Sequence, residues 1–314
     1  MIKPINNKKH KFFFLLFYFF IMLLKGKTIV ITGSGRGIGK TIAIACAKEG
    51  ANVGLTARTL DELNEVKDEI NNLGTGVRVS VKTSDVTKYE EIENAFKVFH
   101  EDLGEFNGVI ANAGYSRMWN SHEFDSNKFS EILTINVSGV FFAFKAAYPY
   151  LKKDDKNNKS RFIITGSAAF TNPMPKLAAY TASKYAVVGL QNALALEYKK
   201  DNINFNMVLP TQVDTRMLRG SKAGDGNKPP NVMNPQELND YYVFLLSEKA
   251  NKTDNALIFT SDFGEVRNLL SKTPPVKREN WEVFKPYLEE NAPKIYSNVR
   301  KLGKLVDFLI TSTK

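Results

Sequence analysis

Cysteine is nearly absent from this chain: Cys46 stands alone among 314 residues, so no disulfide framework can be built. It lies in the apolar run TIAIACAKEGA, where a small core residue belongs, and the sequence fits a reducing compartment. Histidine is scarce too. His10, His100 and His122 are scattered without HExxH spacing or a Cys partner, so no metal site is expected. Acidic residues are in deficit, 33 against 43 Lys and Arg, for a net charge of +10. Lys3, Lys8, Lys9 and Lys11 supply +4 of this within the first 21 residues, where no acid occurs. The remainder has no basic cluster interleaved with aromatics, and nucleic acid is not an expected partner. What is present is ordinary globular composition, 43% hydrophobic and 24% charged, enough for one large α/β domain or two small ones.

Long hydrophobic runs are missing except at residues 12 to 24, FFFLLFYFFIMLL, preceded by KKHK. Thirteen apolar residues are short for a helical span, which needs about 20. The flank resembles a signal peptide, but no small-x-small cleavage pattern follows. Two readings stand. Residues 1–23 form an uncleaved anchor or interfacial segment with a cytosolic flank, or they are a spurious extension ahead of a natural start near Met22. The expected location is cytoplasmic or the cytoplasmic face of a membrane.

From Lys27 onward, β-branched runs alternate with helical patterns. KTIVIT, NVGLT, VRVSVK, NGVIAN, RFIITGS, INFNMVLP and ALIFT read as strands, and residues 37–50, 60–73, 87–103, 126–151, 176–200 and 235–249 as helices. This alternation predicts an α/β doubly wound parallel sheet of Rossmann type in three layers, with ligands bound at the carboxyl ends of the strands. The Gly/Pro-rich stretch 220–230 holds neither helix nor strand and is expected to be a mobile lid.

The first predicted strand runs into Thr32-Gly33-Ser34-Gly35-Arg36-Gly37-Ile38-Gly39 and then a helix, a TGxxxGxG loop suited to a pyrophosphate. The second strand ends in Arg58, where a site preferring NAD carries an acid. With Arg36, it suggests a clamp on a 2′-phosphate, so NADP is the expected cofactor, and NAD the less favoured one. Tyr180 and Lys184, one helical turn apart, share a face, and Ser167 ends the fifth strand thirteen residues earlier.

These motifs together resemble the short-chain dehydrogenase/reductase superfamily over about Leu24 to Phe259. The resemblance implies a catalytic set of Asn136, Ser167, Tyr180 and Lys184, with Ser167 and Tyr180 also holding substrate. It implies cofactor contacts from Thr32, Gly33, Ser34, Arg36, Gly37, Ile38 and Gly39, from Asp85 and Val86, and from Asn112-Ala113-Gly114. Pro210, Val213 and Thr215 would adjoin the nicotinamide, and Arg58, Tyr180 and Lys184 complete the cofactor set. Lys184 would depress the Tyr180 pKa, and Asn136 would fix a water linking Lys184 to solvent. Thr211 replaces the usual glycine after Pro210, and Ser261-Asp262-Phe263-Gly264-Glu265 replaces the usual glycine pair after the last strand, features that bear on the backbone over the nicotinamide and on dimer contact.

The expected activity is NADPH-dependent interconversion of a carbonyl and an alcohol. Tyr115, Met118, Trp119, Phe170, Met174, Leu177, Met217 and Leu218 are the expected pocket lining and suit a lipophilic small molecule. The alternative is a non-catalytic dinucleotide-binding protein that reports redox state to a partner. Residues 24–260 form the expected catalytic domain, a homo-oligomer is the expected assembly, and residues 261–314 form a helical extension with apolar residues near helical period.

Overall fold

The computed structural model describes residues 22–153 and 159–260. All but two residues of the apolar leader, and the C-terminal extension, lie outside these. Seven strands form one parallel sheet: β1 (Thr28–Thr32), β2 (Asn52–Thr56), β3 (Val79–Val81), β4 (Gly108–Ala111), β5 (Ser160–Thr165), β6 (Ile203–Leu209) and β7 (Ala256–Phe259). Their spatial order is β3-β2-β1-β4-β5-β6-β7. Strands β1, β4, β5 and β6 are buried at every position; β1 and β4 read as nearly continuous apolar runs, whereas β5 and β6 also bury Arg161, Asn204 and Asn206.

Helices cover both faces. On one side α1 (Gly37–Lys48), α2 (Leu60–Asn71) and α8 (Asn239–Leu246) close a core around Ile31, Ile42, Leu63 and Tyr242. On the other, α3 (Tyr89–Leu103), α5 (Gly139–Leu151) and α6 (Ala178–Glu197) pack Phe96, Phe144 and Val187 against the sheet. A short α7 (Arg216–Arg219) follows β6. The chain reverses direction across the sheet between β1 and β4, and the crevice at their carboxyl ends is the ligand-binding switch point of a doubly wound sheet.

The helix expected over 126–151 is α4 (Ser126–Leu133), a π-helical turn (Thr134–Ser138) and α5 in continuous succession. This 26-residue stretch is apolar and long enough to cross a membrane, but Val140, Ala143, Phe144, Ala147 and Leu151 bury one stripe of it in the domain. The stretch expected as a structureless lid is tied down instead. Gly220–Lys222 form a 3₁₀ turn. Arg219 pairs with Asp214 at 3.0 Å and Asp225 at 2.9 Å, and the Gly224 N–H donates to Asp214 at 3.1 Å.

Candidate active site

The switch-point crevice is built by backbone polar groups that strand ends leave over. The Asn112 and Ala113 N–H groups both donate to Thr32 Oγ1, at 3.1 and 3.2 Å. The Asn112 amide donates to the Thr32 and Gly33 carbonyls, both at 3.1 Å. The loop end of β1 is thereby sewn to the end of β4. Gly33 and Gly37 have positive φ, +67° and +55°, which glycine adopts without strain. A Cβ on Gly39 would overlap the Gly33 carbonyl oxygen and sit 2.6 Å from the Asn112 amide nitrogen.

No side chain caps the first turn of α1, so its N–H groups remain available to an anion, and the glycines keep Cβ atoms away from it. This cradle fits a dinucleotide pyrophosphate. Gly39→Ala is expected to raise the dissociation constant for dinucleotide by at least roughly tenfold in a fluorescence titration, because the loop must shift. An unchanged constant would mean that the cradle does not bear the ligand.

Other cofactor candidates fall around it. Ser34 turns inward: it is fully buried, with its N–H and hydroxyl both donated to the Thr56 carbonyl, so its side chain ties the loop to β2. Ile38 is half-buried against the α1 side of the core. Asp85 accepts from the N–H and hydroxyl of Thr87, at 2.9 and 2.8 Å. Burial opposes its ionisation, but those hydrogen bonds and Arg58 outweigh it and hold the carboxyl below its usual range. Val86 packs where Gly139 opens α5, and a Cβ there would come within 3.0 Å of it.

Beyond β6, the Pro210 carbonyl accepts from Ala168 N–H at 2.8 Å. Val213 pairs with Met233, and the Thr215 methyl lies 3.3 Å from where a Cβ on Gly37 would be. Thr211 is not among the described non-glycine residues with positive φ, so it replaces glycine without left-handed strain.

The second cluster lies across the same edge. Ser167 lies two residues beyond the end of β5, in an extended conformation, and accepts from Ala169 N–H at 3.1 Å. Tyr180, in the first turn of α6, hydrogen-bonds Ser167 through its hydroxyl. Lys184 is buried, donates to the Thr165 carbonyl at 3.0 Å, and holds its ammonium 5.4 Å from the Tyr180 ring centroid. Thr165 in turn donates through its hydroxyl to Asn112 at 3.3 Å, and Asn112 to the Gly33 carbonyl, so three hydrogen bonds connect Lys184 to the glycine loop.

One expectation changes here. Burial dominates at Tyr180 and pushes its phenol up, with the Ser167 hydrogen bond pulling down. The Lys184 ammonium donates to the Thr165 carbonyl and lies 5.4 Å from the Tyr180 ring centroid, and it does not reverse the effect of burial. Burial instead lowers Lys184 itself, to about 8.

Asn136 sits within the π-helical turn, and its two amide hydrogens go to the Tyr115 carbonyl and Ser183 Oγ, both at 2.9 Å. Its Oδ1 accepts from Tyr115 N–H at 2.8 Å. The side chain therefore fixes the segment after Gly114 rather than offering a free donor. Ser183, unremarked in the sequence, joins Asn136 to the Tyr180 carbonyl, to which it donates at 2.6 Å. Its signal was a small hydroxyl one helical turn after Tyr180.

A family model described as short chain dehydrogenase matches residues 27–226. The chain belongs to that family. Its members are oxidoreductases of alcohol and carbonyl groups. It is 31% identical over 240 residues to 2-(S)-hydroxypropyl-CoM dehydrogenase 3 of Xanthobacter autotrophicus, covering 72% of this chain and 92% of that protein. It is likewise 31% identical over 209 residues to (-)-trans-carveol dehydrogenase of Rhodococcus erythropolis, covering 62% and 74%.

Two solved structures are similar to this short-chain dehydrogenase. A 3-ketoacyl-(acyl-carrier-protein) reductase from Brucella melitensis, complexed with NADH, has a TM-score of 0.69 and 26% identity, over 76% of this chain and 97% of that one. An alcohol dehydrogenase from Thermococcus sibiricus, complexed with 5-hydroxy-NADP, has a TM-score of 0.68 and 29% identity over the same shares. Both neighbours bind nicotinamide dinucleotides.

Of the expected pocket residues, Met118, Trp119, Met174, Met217 and Leu218 are exposed around the site, whereas Phe170 is buried against Phe259 and Tyr185. A pocket of about 330 Å³ opens between α4 and the start of α6, lined by Arg117, Trp119, Phe129 and Lys176 among others. It reaches Ala179 but not Tyr180 itself.

Proposed function

We propose that this dehydrogenase interconverts a carbonyl and an alcohol on a lipophilic small molecule, with NADPH as its preferred cofactor and Tyr180 as acid and base. The observation that carries the reading is the Tyr180 hydroxyl on Ser167, at the same sheet edge as the glycine cradle, with the buried Lys184 ammonium against the phenol ring. When bound, the dinucleotide supplies or accepts the hydride at the carbonyl carbon.

The chain's own residues do the rest. In reduction Tyr180 donates its proton to the developing alkoxide, and the raised phenol pKa keeps that proton in place at neutral pH. Ser167 holds the same oxygen and orients it. Lys184 places a positive charge beside the phenolate that remains, and Asn136 with Ser183 fixes the backbone around both. In alcohol oxidation the roles reverse, and Tyr180 must first lose its proton. Oxidation is therefore expected to speed up with rising pH above neutrality, as phenolate accumulates, while reduction does not share the rise. The exposed Met and Trp side chains at the rim support an apolar substrate.

Arg58 and Arg36 support the choice of NADPH, Arg58 being exposed beyond the end of β2. The test is a panel of carbonyls and alcohols assayed with both cofactors, with Arg58→Asp beside wild type. Arg58→Asp is expected to weaken NADPH by roughly tenfold or more relative to NADH, since an attractive charge becomes a repulsive one. Equal loss for both would remove the clamp. Tight binding without turnover across diverse substrates would remove the enzyme reading.

The catalytic unit is proposed to be residues 24–260. Within the described part, Leu23 N–H donates to the Glu49 carboxylate at 2.8 Å and Leu24 N–H to the Glu49 carbonyl at 3.0 Å.

A further inference from the structure

An acid is missing from the end of β2, yet folding delivers one to the glycine loop. Glu62, in the first turn of α2, accepts through the single oxygen Oε1 from Arg36 Nη1 at 3.1 Å and from Arg216 Nη1 at 2.9 Å. Its side chain is only 20% exposed, against 54% for Arg36 and 62% for Arg216. It lies directly on the loop: a Cβ at Gly35 would stand 3.0 Å from Glu62 Cβ and 3.3 Å from Oε2. Gly35 is thus the residue that lets the carboxylate approach. The three charged groups come from three distant stretches: the loop after β1, the start of α2, and α7 beyond β6. Thr215, next to Arg216, abuts Gly37 of the same loop.

We propose that Glu62 sets the choice between the two nicotinamide dinucleotides, as a positioning residue for Arg36 and Arg216. This rests on the dinucleotide-dependent reading above and deepens it. A ribose 2′-phosphate needs the Arg36 guanidinium that Glu62 already engages, and it meets the like charge of the carboxylate. A ribose 2′-hydroxyl has no charge to be repelled and can donate to that same carboxylate. Arg36 and Arg58 favour NADPH, and Glu62 opposes them, so the wild-type chain uses NADH as well. Arg216, sharing the oxygen, draws part of the carboxylate's charge away from Arg36 and moderates the opposition.

The full-length chain, Glu62→Gln and Arg216→Gln are titrated with NADPH and with NADH, following nucleotide fluorescence, so that no substrate is needed. Glu62→Gln is expected to tighten NADPH by roughly tenfold and to leave NADH unchanged or weaker. A merely structural role would move both constants together. Arg216→Gln is expected to shift the ratio the other way, towards NADH, which keeps the test open should Glu62→Gln fail to fold. If wild type binds both dinucleotides and neither variant moves their ratio, the assignment of Glu62 is overturned and the oxidoreductase reading stands. If wild type binds neither, both fall together.

Discussion

Tyr180→Phe is expected to lower turnover by roughly a thousandfold in both directions, the scale on which a positioned proton donor acts. The ring stays and only the hydroxyl goes, so packing in the first turn of α6 is kept. Ser167 loses one partner but remains half-exposed and keeps its bond from Ala169 N–H. Stability should therefore fall by no more than about 1 kcal/mol. Dinucleotide binding should change little, since the glycine cradle and Lys184 are untouched. The measurement is kcat and KM on the best substrate of the panel, with NADPH titration and thermal unfolding alongside. A loss confined to KM would mean that Tyr180 only holds substrate. Retained turnover would place the proton donor elsewhere.

The reach of the sequence differed between the scaffold and the site. Parallel strands covered on both faces are rich in β-branched apolar residues, so β1, β4, β5 and β6 stand out despite the buried Arg161, Asn204 and Asn206, and each is a strand in the structure. The cofactor cradle was legible for a related reason: Gly39 is dictated by the Gly33 carbonyl and Asn112, a local contact between neighbouring strand ends. The π-helical turn around Asn136 was not, because one extra residue per turn barely disturbs hydrophobic periodicity in an apolar helix.

Glu62 is not legible in the sequence, because the acid that meets the glycine loop comes from α2 rather than from the tip of β2 and pairs with Arg216, 154 residues away. Proton affinities were the least legible. Spacing put Tyr180 and Lys184 on one face, but it could not reveal that Lys184 turns to Thr165 or that burial would govern both groups. Ser34 illustrates the same limit, since its place in the glycine motif gave no sign that its hydroxyl is spent on Thr56.

Lys184→Met is expected to make the protein more stable and at least roughly a hundredfold less active, a pairing that distinguishes a functional buried charge from a structural one. Burial lowers the Lys184 ammonium from 10.5 to about 8, which corresponds to about 3 kcal/mol against folding while the group is charged. One hydrogen bond, to the Thr165 carbonyl, offsets about 1 kcal/mol of this, so a methionine of similar length should gain roughly 2 kcal/mol at pH 7. The sign with pH follows from the lowered value. Below about 8 both folded and unfolded chains carry the proton, and the penalty is fully present. Between about 8 and 10.5 the unfolded chain binds more protons than the folded one, so this group's contribution to stability rises with pH. The gain from Lys184→Met should therefore shrink across that window in urea titrations. Reduction by wild type should decline over the same range, as the charge beside the phenolate is lost. A variant less stable than wild type at pH 7, or a gain independent of pH, would show that Lys184 is held for packing and not for its charge at the site.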